Sequence, residues 1–312
     1  MLRKETRMET SSDVVSTRKQ RPVIISRQAR YALIFLIPAG IGLFFFYLLP
    51  AVRGFYFSFT DYAVLTPARW TGLANYQRLI FDPLFWNAVK VTVYYVVLNI
   101  GFQTIIAIGL AVLLQRLTNS TLIRGMALLP YFIANVVVAL VWYFMMDYQI
   151  GIVNEMLNWI GLDRVAFFGE SAWAIPTVAF VNVWRHMGYT ALLIFAGLQT
   201  INRTVWEAAD IDGAGEIRKF FSITLPLLRP VLAMVMVVTI TGSFQIFDTV
   251  AITTKGGPIN ATRVIYYYIW DLAFGQLDFG YASAIAMVLF VLLFGISLIQ
   301  LRLMRAGESD EL

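Results

Sequence analysis

The sequence has no cysteine and a single histidine, His186. A disulfide framework and thiolate chemistry are therefore excluded. One histidine without cysteine or a carboxylate cluster is also poor material for a metal site. Charge is scarce: 14% of the 312 residues are Asp, Glu, Lys or Arg, and 59% are apolar. Soluble domains average about 25% charged and roughly 45–50% apolar. A chain of this length can bury a large core, but a water-exposed surface still needs charges. The mean hydropathy of +0.70 points to a solvent that is itself apolar and argues against a soluble enzyme. No Gly-x-x-x-x-Gly-Lys-Ser/Thr phosphate loop is present, so any use of ATP must come from a partner. The net charge of +5 need not mean a nucleic-acid partner, because excess Lys and Arg in a membrane protein usually sit on cytoplasmic loops.

What is abundant is long uncharged runs. A bilayer-crossing helix needs about 20 mostly apolar residues. The gaps between charges predict spans at 31–52, 91–115, 125–146 and 279–301. Two further spans, 172–196 and 231–253, are interrupted by Arg185 with His186 and by Asp248. Ionisable residues inside a span are expensive and are functional candidates. Six spans place both termini on one side. Residues 1–29 are basic and polar and read as a disordered cytoplasmic tail, with 306–312 as a second tail. The six-span body runs over 30–305. Loop 197–230 is basic and loop 147–171 is acidic, so both ends are predicted inside. Trp70, Trp86 and the run Tyr266, Tyr267, Tyr268, Trp270 suit an outer interfacial belt.

Polar residues recur at helical spacing within the spans. Tyr95, Asn99 and Gln103 form one stripe, Tyr131, Asn135 and Trp142 a second. Asn182, His186 and Tyr189 form a third beside Arg185, and Thr241, Gln245 and Asp248 a fourth. Such residues hold helices together, or they line a wet path. A path for sugars needs donors and acceptors for hydroxyls and aromatic faces for the ring. The path candidates are Asn99, Gln103, Asn135, Asn182, Arg185, Tyr189, Gln245 and Asp248.

The loop from Asn202 to Pro226 is no simple linker. Thr204 and Glu207 have capping-box spacing, which predicts a helix beginning at Thr204. Asp212-Gly213 can break it, and Glu216 to Ile223 can form a second short helix before Pro226 and Pro230. Val205, Ala208 and Ala209 then share a small apolar face. The whole pattern, Glu207-Ala208-Ala209, Asp212-Gly213, Ile223 and Leu225-Pro226, resembles the EAA motif of permease subunits of binding-protein-dependent ATP-binding-cassette importers. Trp70 to Tyr76, Phe247 to Pro258 and Gly280 to Ala284 are similar to segments of the maltose-type, carbohydrate-uptake branch.

The resemblance implies an all-α polytopic membrane protein with six transmembrane helices and a cytoplasmic coupling helix, the type I importer permease fold. It implies a bacterial or archaeal cytoplasmic (inner) membrane location and no enzymatic activity of its own. It implies a second six-span permease, two ATPase subunits that bind ATP and Mg, an extracytoplasmic solute-binding protein and a sugar or oligosaccharide solute. The residues named in the motif would couple to the ATPase, and Lys255, Gly256, Gly257 and Pro258 would meet the binding protein. A polyol, glycerol phosphate or acidic oligosaccharide is a narrower alternative, which Arg185 keeps open. An ion-coupled secondary transporter would need more intramembrane acids than Asp248. A membrane-embedded enzyme lacks any metal cluster or nucleophile constellation.

Overall fold

The computed structural model describes residues 27–117 and 120–308. The expected basic tail over 1–29 lies outside the described residues except for its last three positions, as do positions 309–312 of the second tail. The chain divides into two units after Val52. The first contains α1 (Arg27–Leu43), a π-turn (Phe44–Leu48) and the beginning of α2 (Leu49–Phe57). Its sequence is apolar all round, as expected of a helix in lipid.

In the second unit, α3 (Ala74–Phe81) precedes α4 (Pro83–Leu117). Asp82 Oδ1 accepts the Leu84 N–H at 2.8 Å, and Pro83 fills the first helical position. That cap starts α4 eight residues before the predicted span at 91, and Lys90 sits exposed on its flank. The predicted span 125–146 is two helices, α5 (Thr121–Phe132) and α6 (Asn135–Met145), bent by 91°. Ile133 and Ala134 between them are extended, three and four residues after Pro130. A short outer helix, α7 (Ile152–Trp159), leads to the 28-residue α8 (Ser171–Leu198).

The basic loop folds as α9 (Arg203–Ile211) and α10 (Glu216–Lys219), then a π-turn (Phe220–Thr224) and α11 (Leu225–Leu227). The π-turn accommodates Pro226, which has no N–H to return to the preceding turn. Next, α12 (Arg229–Phe244) carries Pro230 in its first turn and stops before α13 (Asp248–Thr253), so the predicted span 231–253 is interrupted at 245–247, without the sharp bend of the α5–α6 pair. An outer α14 (Ile265–Trp270) and a π-turn (Asp271–Gly275) precede α15 (Phe279–Glu308). Among the described residues there is no β-strand, only isolated bridges such as Thr60–Trp70.

Helix α8 is the hub of the second unit, packed against α4, α5, α6, α12 and α13. Small residues let it approach α4 closely: Ala107, Ala111 and Ala191 are fully buried in one cluster with Ile194, Leu198 and Leu228. A second cluster joins Tyr95 and Val96 to Val178, Val250 and Tyr267. Among the described residues, four helices are long and apolar enough to cross a membrane: Ile34–Phe57, Pro83–Arg116, Arg229–Thr253 and Phe279–Arg302. The bent α5–α6 pair makes a fifth candidate. Helix α8 has the length but is polar around Asn182, Arg185 and His186 and is not among them.

Candidate functional site: a polar cavity, a cytoplasmic helical loop and an outer turn

Halfway along α4, Asn99 and Gln103 are buried at 1% and 5% exposure. The Asn99 amide donates to Ser243 Oγ at 2.8 Å and to Gln103 Oε1 at 3.2 Å. The Gln103 amide donates to Thr190 Oγ1 at 2.8 Å, and the Ser243 hydroxyl to the Thr239 carbonyl at 2.7 Å. This leaves Asn99 Oδ1 buried with no hydrogen-bond partner. An unmet acceptor costs about 1–3 kcal/mol. These groups line a cavity of ≈ 210 Å³ together with Tyr131, Asn182, His186 and Tyr189. The rings of Tyr131 and Tyr189 are stacked, 4.5 Å apart and 10° from parallel.

Arg185 and His186 serve the break between α5 and α6. Arg185 Nε donates to the Ile133 carbonyl at 3.0 Å and Nη2 to the Tyr131 carbonyl at 2.9 Å. These are carbonyls that the end of α5 leaves without helical partners. His186 Nδ1 lies 2.9 Å from the Asn182 carbonyl and therefore carries the ring proton. Its Nε2 then accepts from Arg185 Nη1 at 2.9 Å. Both ring nitrogens are engaged. Asn135, first in α6, donates to Asp248 Oδ2 at 2.8 Å, and Asp248 opens α13. The two helix starts are thus tied together, with the carboxylate at the electropositive end of α13.

The cavity gathers Asn99, Gln103, Asn182 and Tyr189 from the sequence candidates. Arg185, Asn135 and Asp248 belong to the helix breaks instead. Gln245 ends α12, is exposed, and does not line the cavity. Thr190, Thr239 and Ser243 line the same cavity and are not among the sequence candidates. Thr239 and Ser243 are one turn apart on α12, on a different face from the Thr241 stripe, and that spacing is a usable signal.

In the cytoplasmic loop, Asn202 caps α9: its Oδ1 accepts the Thr204 N–H at 3.1 Å. The predicted capping box from Thr204 is not formed. Glu207 instead pairs with Arg203 at 3.0 Å, one turn back on the exposed face. Gly213 adopts φ +70° and closes the helix: its N–H donates to the Asp210 carbonyl at 3.1 Å, and the Ala214 N–H to the Ala209 carbonyl at 3.0 Å. That pairing is the Schellman C-cap, with Asp212 as the last cap residue before the glycine. The single apolar face expected of Val205, Ala208 and Ala209 is divided. Ala209 is buried within the chain, whereas Val205 and Ala208 are exposed. Trp206, whose Nε1 donates to Thr224 Oγ1 at 3.3 Å, shares the inner face. Ile223, Leu225 and Pro226 lie half-buried on the returning segment. Exposed Ile211, Ile217 and Phe221 extend the outward apolar surface and were not singled out.

At the outer turn, Lys255 is exposed at φ +49° and Gly256 is buried at φ +82°. A Cβ on Gly256 would meet the Tyr267 ring at 3.0 Å. Gly257 and Pro258 are half-buried, and the Gly257 carbonyl accepts the Thr262 hydroxyl at 2.7 Å. The exposed side chains are Lys255 and Ile259, the latter 94% exposed. The aromatic run beside them is divided: Tyr266 and Trp270 are exposed, whereas Tyr267 and Tyr268 are 6% and 2% exposed. Tyr268 and Tyr281 each donate a hydroxyl to Asp82 Oδ2 at 2.6 Å. Having that acceptor is what lets the phenols be buried.

Long apolar helices around a polar cavity, with a bent helix pair and a capped helical loop, fit a membrane permease. The chain belongs to the family of inner membrane components of binding-protein-dependent transport systems, whose profile matches residues 103–304. It is 34% identical to the sulfoquinovosyl glycerol transport system permease protein SmoG of Agrobacterium fabrum, with 89% of this chain and 91% of that protein covered. It is 30% identical to the trehalose/maltose transport system permease protein MalF of Thermococcus litoralis, covering 89% and 95%. It superposes with a TM-score of 0.80 on a chain of a bacterial ABC transporter involved in importing the acidic polysaccharide alginate, at 25% identity, covering 89% and 96%. The chain is therefore a multi-pass inner-membrane transport subunit that works with a binding protein, a second permease and ATPase subunits. Membership removes the ion-coupled alternative.

Proposed function

We propose that this chain forms one half of the path of an ATP-driven importer for sugars and related polyols. A second six-span permease forms the other half. Two partner ATPase subunits bind and hydrolyse ATP with Mg, and an extracytoplasmic binding protein delivers the solute to the outer surface bearing Lys255 and Ile259. The observation that carries the reading is the cavity between α4, α5, α8 and α12. It offers amides, hydroxyls and aromatic rings, the groups that match the hydroxyls and ring faces of a sugar. The Arg185 guanidinium is engaged by the two carbonyls at the helix break, so the cavity does not demand a charged solute.

Asn99→Leu should lower uptake at least several-fold in the reconstituted complete importer, with assembly intact. It removes a solute contact and leaves Ser243 without its donor. Each lost hydrogen bond is worth about 0.5–1.5 kcal/mol, and more where a buried partner is stranded. Gln245→Leu, outside the cavity, should change uptake little. Equal uptake in the two variants would show that Asn99 only packs helices.

The reading also places six crossings in the membrane, α8 among them, with both termini cytoplasmic. The cysteine-free chain allows a direct check. A cysteine at exposed Ile259 should react with an impermeant maleimide in intact cells, whereas one at exposed Ile217 should react only after permeabilisation. Labelling of the Ile217 position from outside would reverse the orientation.

A further inference from the structure

Arg116 stands at the cytoplasmic end of α4, the helix that carries Asn99 and Gln103. Glu216, the first residue of α10, forms ion pairs with both Arg116 and Lys219. Lys219 Nζ lies 2.6 Å from Asp210 Oδ1 on α9. The four charges alternate in sign and run without interruption from α9 through α10 to α4. Beside them is a cavity of ≈ 220 Å³, lined by Val112, Gln115, Trp206, Phe220 and Thr224 together with Arg116, Glu216 and Lys219. Side chains do not fill the space between the loop and the end of α4, as they do in a packed core. The charges bridge it. Hydrogen bonding to Lys219, opposed by partial desolvation, and the nearby Arg116 hold the Glu216 carboxyl below its ordinary range. Asp210 and Glu216 hold the Lys219 ammonium above its own. Both shifts favour the charged forms of Glu216 and Lys219.

We propose that Arg116 and Glu216 form a strut that passes displacement of the loop to α4 and so to the polar cavity. They are positioning residues for transport, distinct from the surface that docks the ATPase. The proposal rests on the reading of α9 as that docking surface. Hydrolysis can move solute only if both events bias one conformational equilibrium. Gln103 lies thirteen residues before Arg116 on one unbroken helix, roughly 20 Å at 1.5 Å per residue. A shift imposed at Arg116 therefore reaches the cavity along a rigid element. Exposed ion pairs add little to stability, yet they fix distance and direction and can be broken and remade in each cycle.

The test uses the complete importer in proteoliposomes, with solute moved and ATP hydrolysed measured in the same preparation. Arg116→Gln should leave the ATPase bound and hydrolysing while solute moved per ATP falls at least threefold. Arg116→Lys, which keeps the charge, should restore most of that ratio. An unchanged ratio in Arg116→Gln overturns the strut and leaves the docking reading intact. Loss of ATPase association in Arg116→Gln also overturns it, by making the pair part of assembly. The docking reading fails separately, if Val205→Glu and Ile211→Glu on α9 leave ATPase association unchanged.

Discussion

Gly188→Ala is expected to reduce transport by at least tenfold, although it adds one methyl group. A Cβ at position 188 of α8 would lie 1.8 Å from the Ala127 carbonyl oxygen of α5 and 2.7 Å from its carbonyl carbon. Both atoms are backbone, so no rotamer change can relieve the contact. The helices must part by on the order of 1–2 Å to restore ordinary van der Waals separation. Overpacking of this kind costs about 1–3 kcal/mol in stability, and here the larger consequence is geometric. One turn beyond Ala127 lies Tyr131, stacked on Tyr189, and its carbonyl takes one of the Arg185 bonds that close α5. Parting α5 from α8 disturbs the aromatic wall of the cavity and the cap of the break together. Gly125→Ala is the control, because it lies on the same α5 and a Cβ there meets nothing within 4 Å. Uptake by the reconstituted importer and monodispersity of the purified complex check both. A Gly188→Ala protein as active as Gly125→Ala would mean that the two helices are not held this closely.

The apolar helices were legible because a crossing helix is defined by what it lacks, although 172–196, with Arg185 and His186 inside it, forms a helix that is not among those apolar enough to cross. Their ends were less legible. Asp82 and Pro83 start α4 early, since a cap can sit outside the uncharged run and an exposed Lys90 costs a helix flank little. The breaks were not legible at all. Pro130 is compatible with a kink or a continuous helix, and no proline lies at the gap from Gln245 to Phe247. What stabilises the first break is Arg185, 52 residues away in sequence, and what ties it to the second is the contact between Asn135 and Asp248. Such partners appear only when the helices pack. The same limit explains Arg185, whose charge in an apolar run marked it as functional without showing that it caps a helix. The cap of α9 failed for a local reason. Asn202 and Thr204 both have capping chemistry, and the pairing of Arg203 with Glu207 favours a helix that already includes Arg203. The burial of Tyr267 and Tyr268 depends on Asp82 and Gly256, which belong to other parts of the chain.

Gly213→Val should be the most damaging change in the cytoplasmic loop, and its cause can be isolated. The position has φ +70°, and a Cβ there would meet nothing within 4 Å. Any effect therefore comes from the backbone rather than from a clash with a neighbour. The left-handed conformation costs an L-residue about 1–2 kcal/mol, and a β-branched residue fits it worst. Asn tolerates it because its short polar side chain bonds locally. The turn closes the Schellman cap of α9 and sets the angle between α9 and α10, so strain there opens the cap or turns the outward face. If the competent arrangement becomes a minor state, apparent affinity for the ATPase falls by its fractional population. A penalty of one or two kcal/mol corresponds to roughly a 5–30-fold loss. The expected order of ATPase association and uptake is Gly213→Asn near wild type, Gly213→Ala lower and Gly213→Val lowest, with equal amounts of permease in the membrane. Copurification of the ATPase with tagged permease, alongside uptake in proteoliposomes, reads both quantities. Full association and uptake in Gly213→Val would show that the turn does not set the docking angle, and the loop would then need another explanation for its capped geometry.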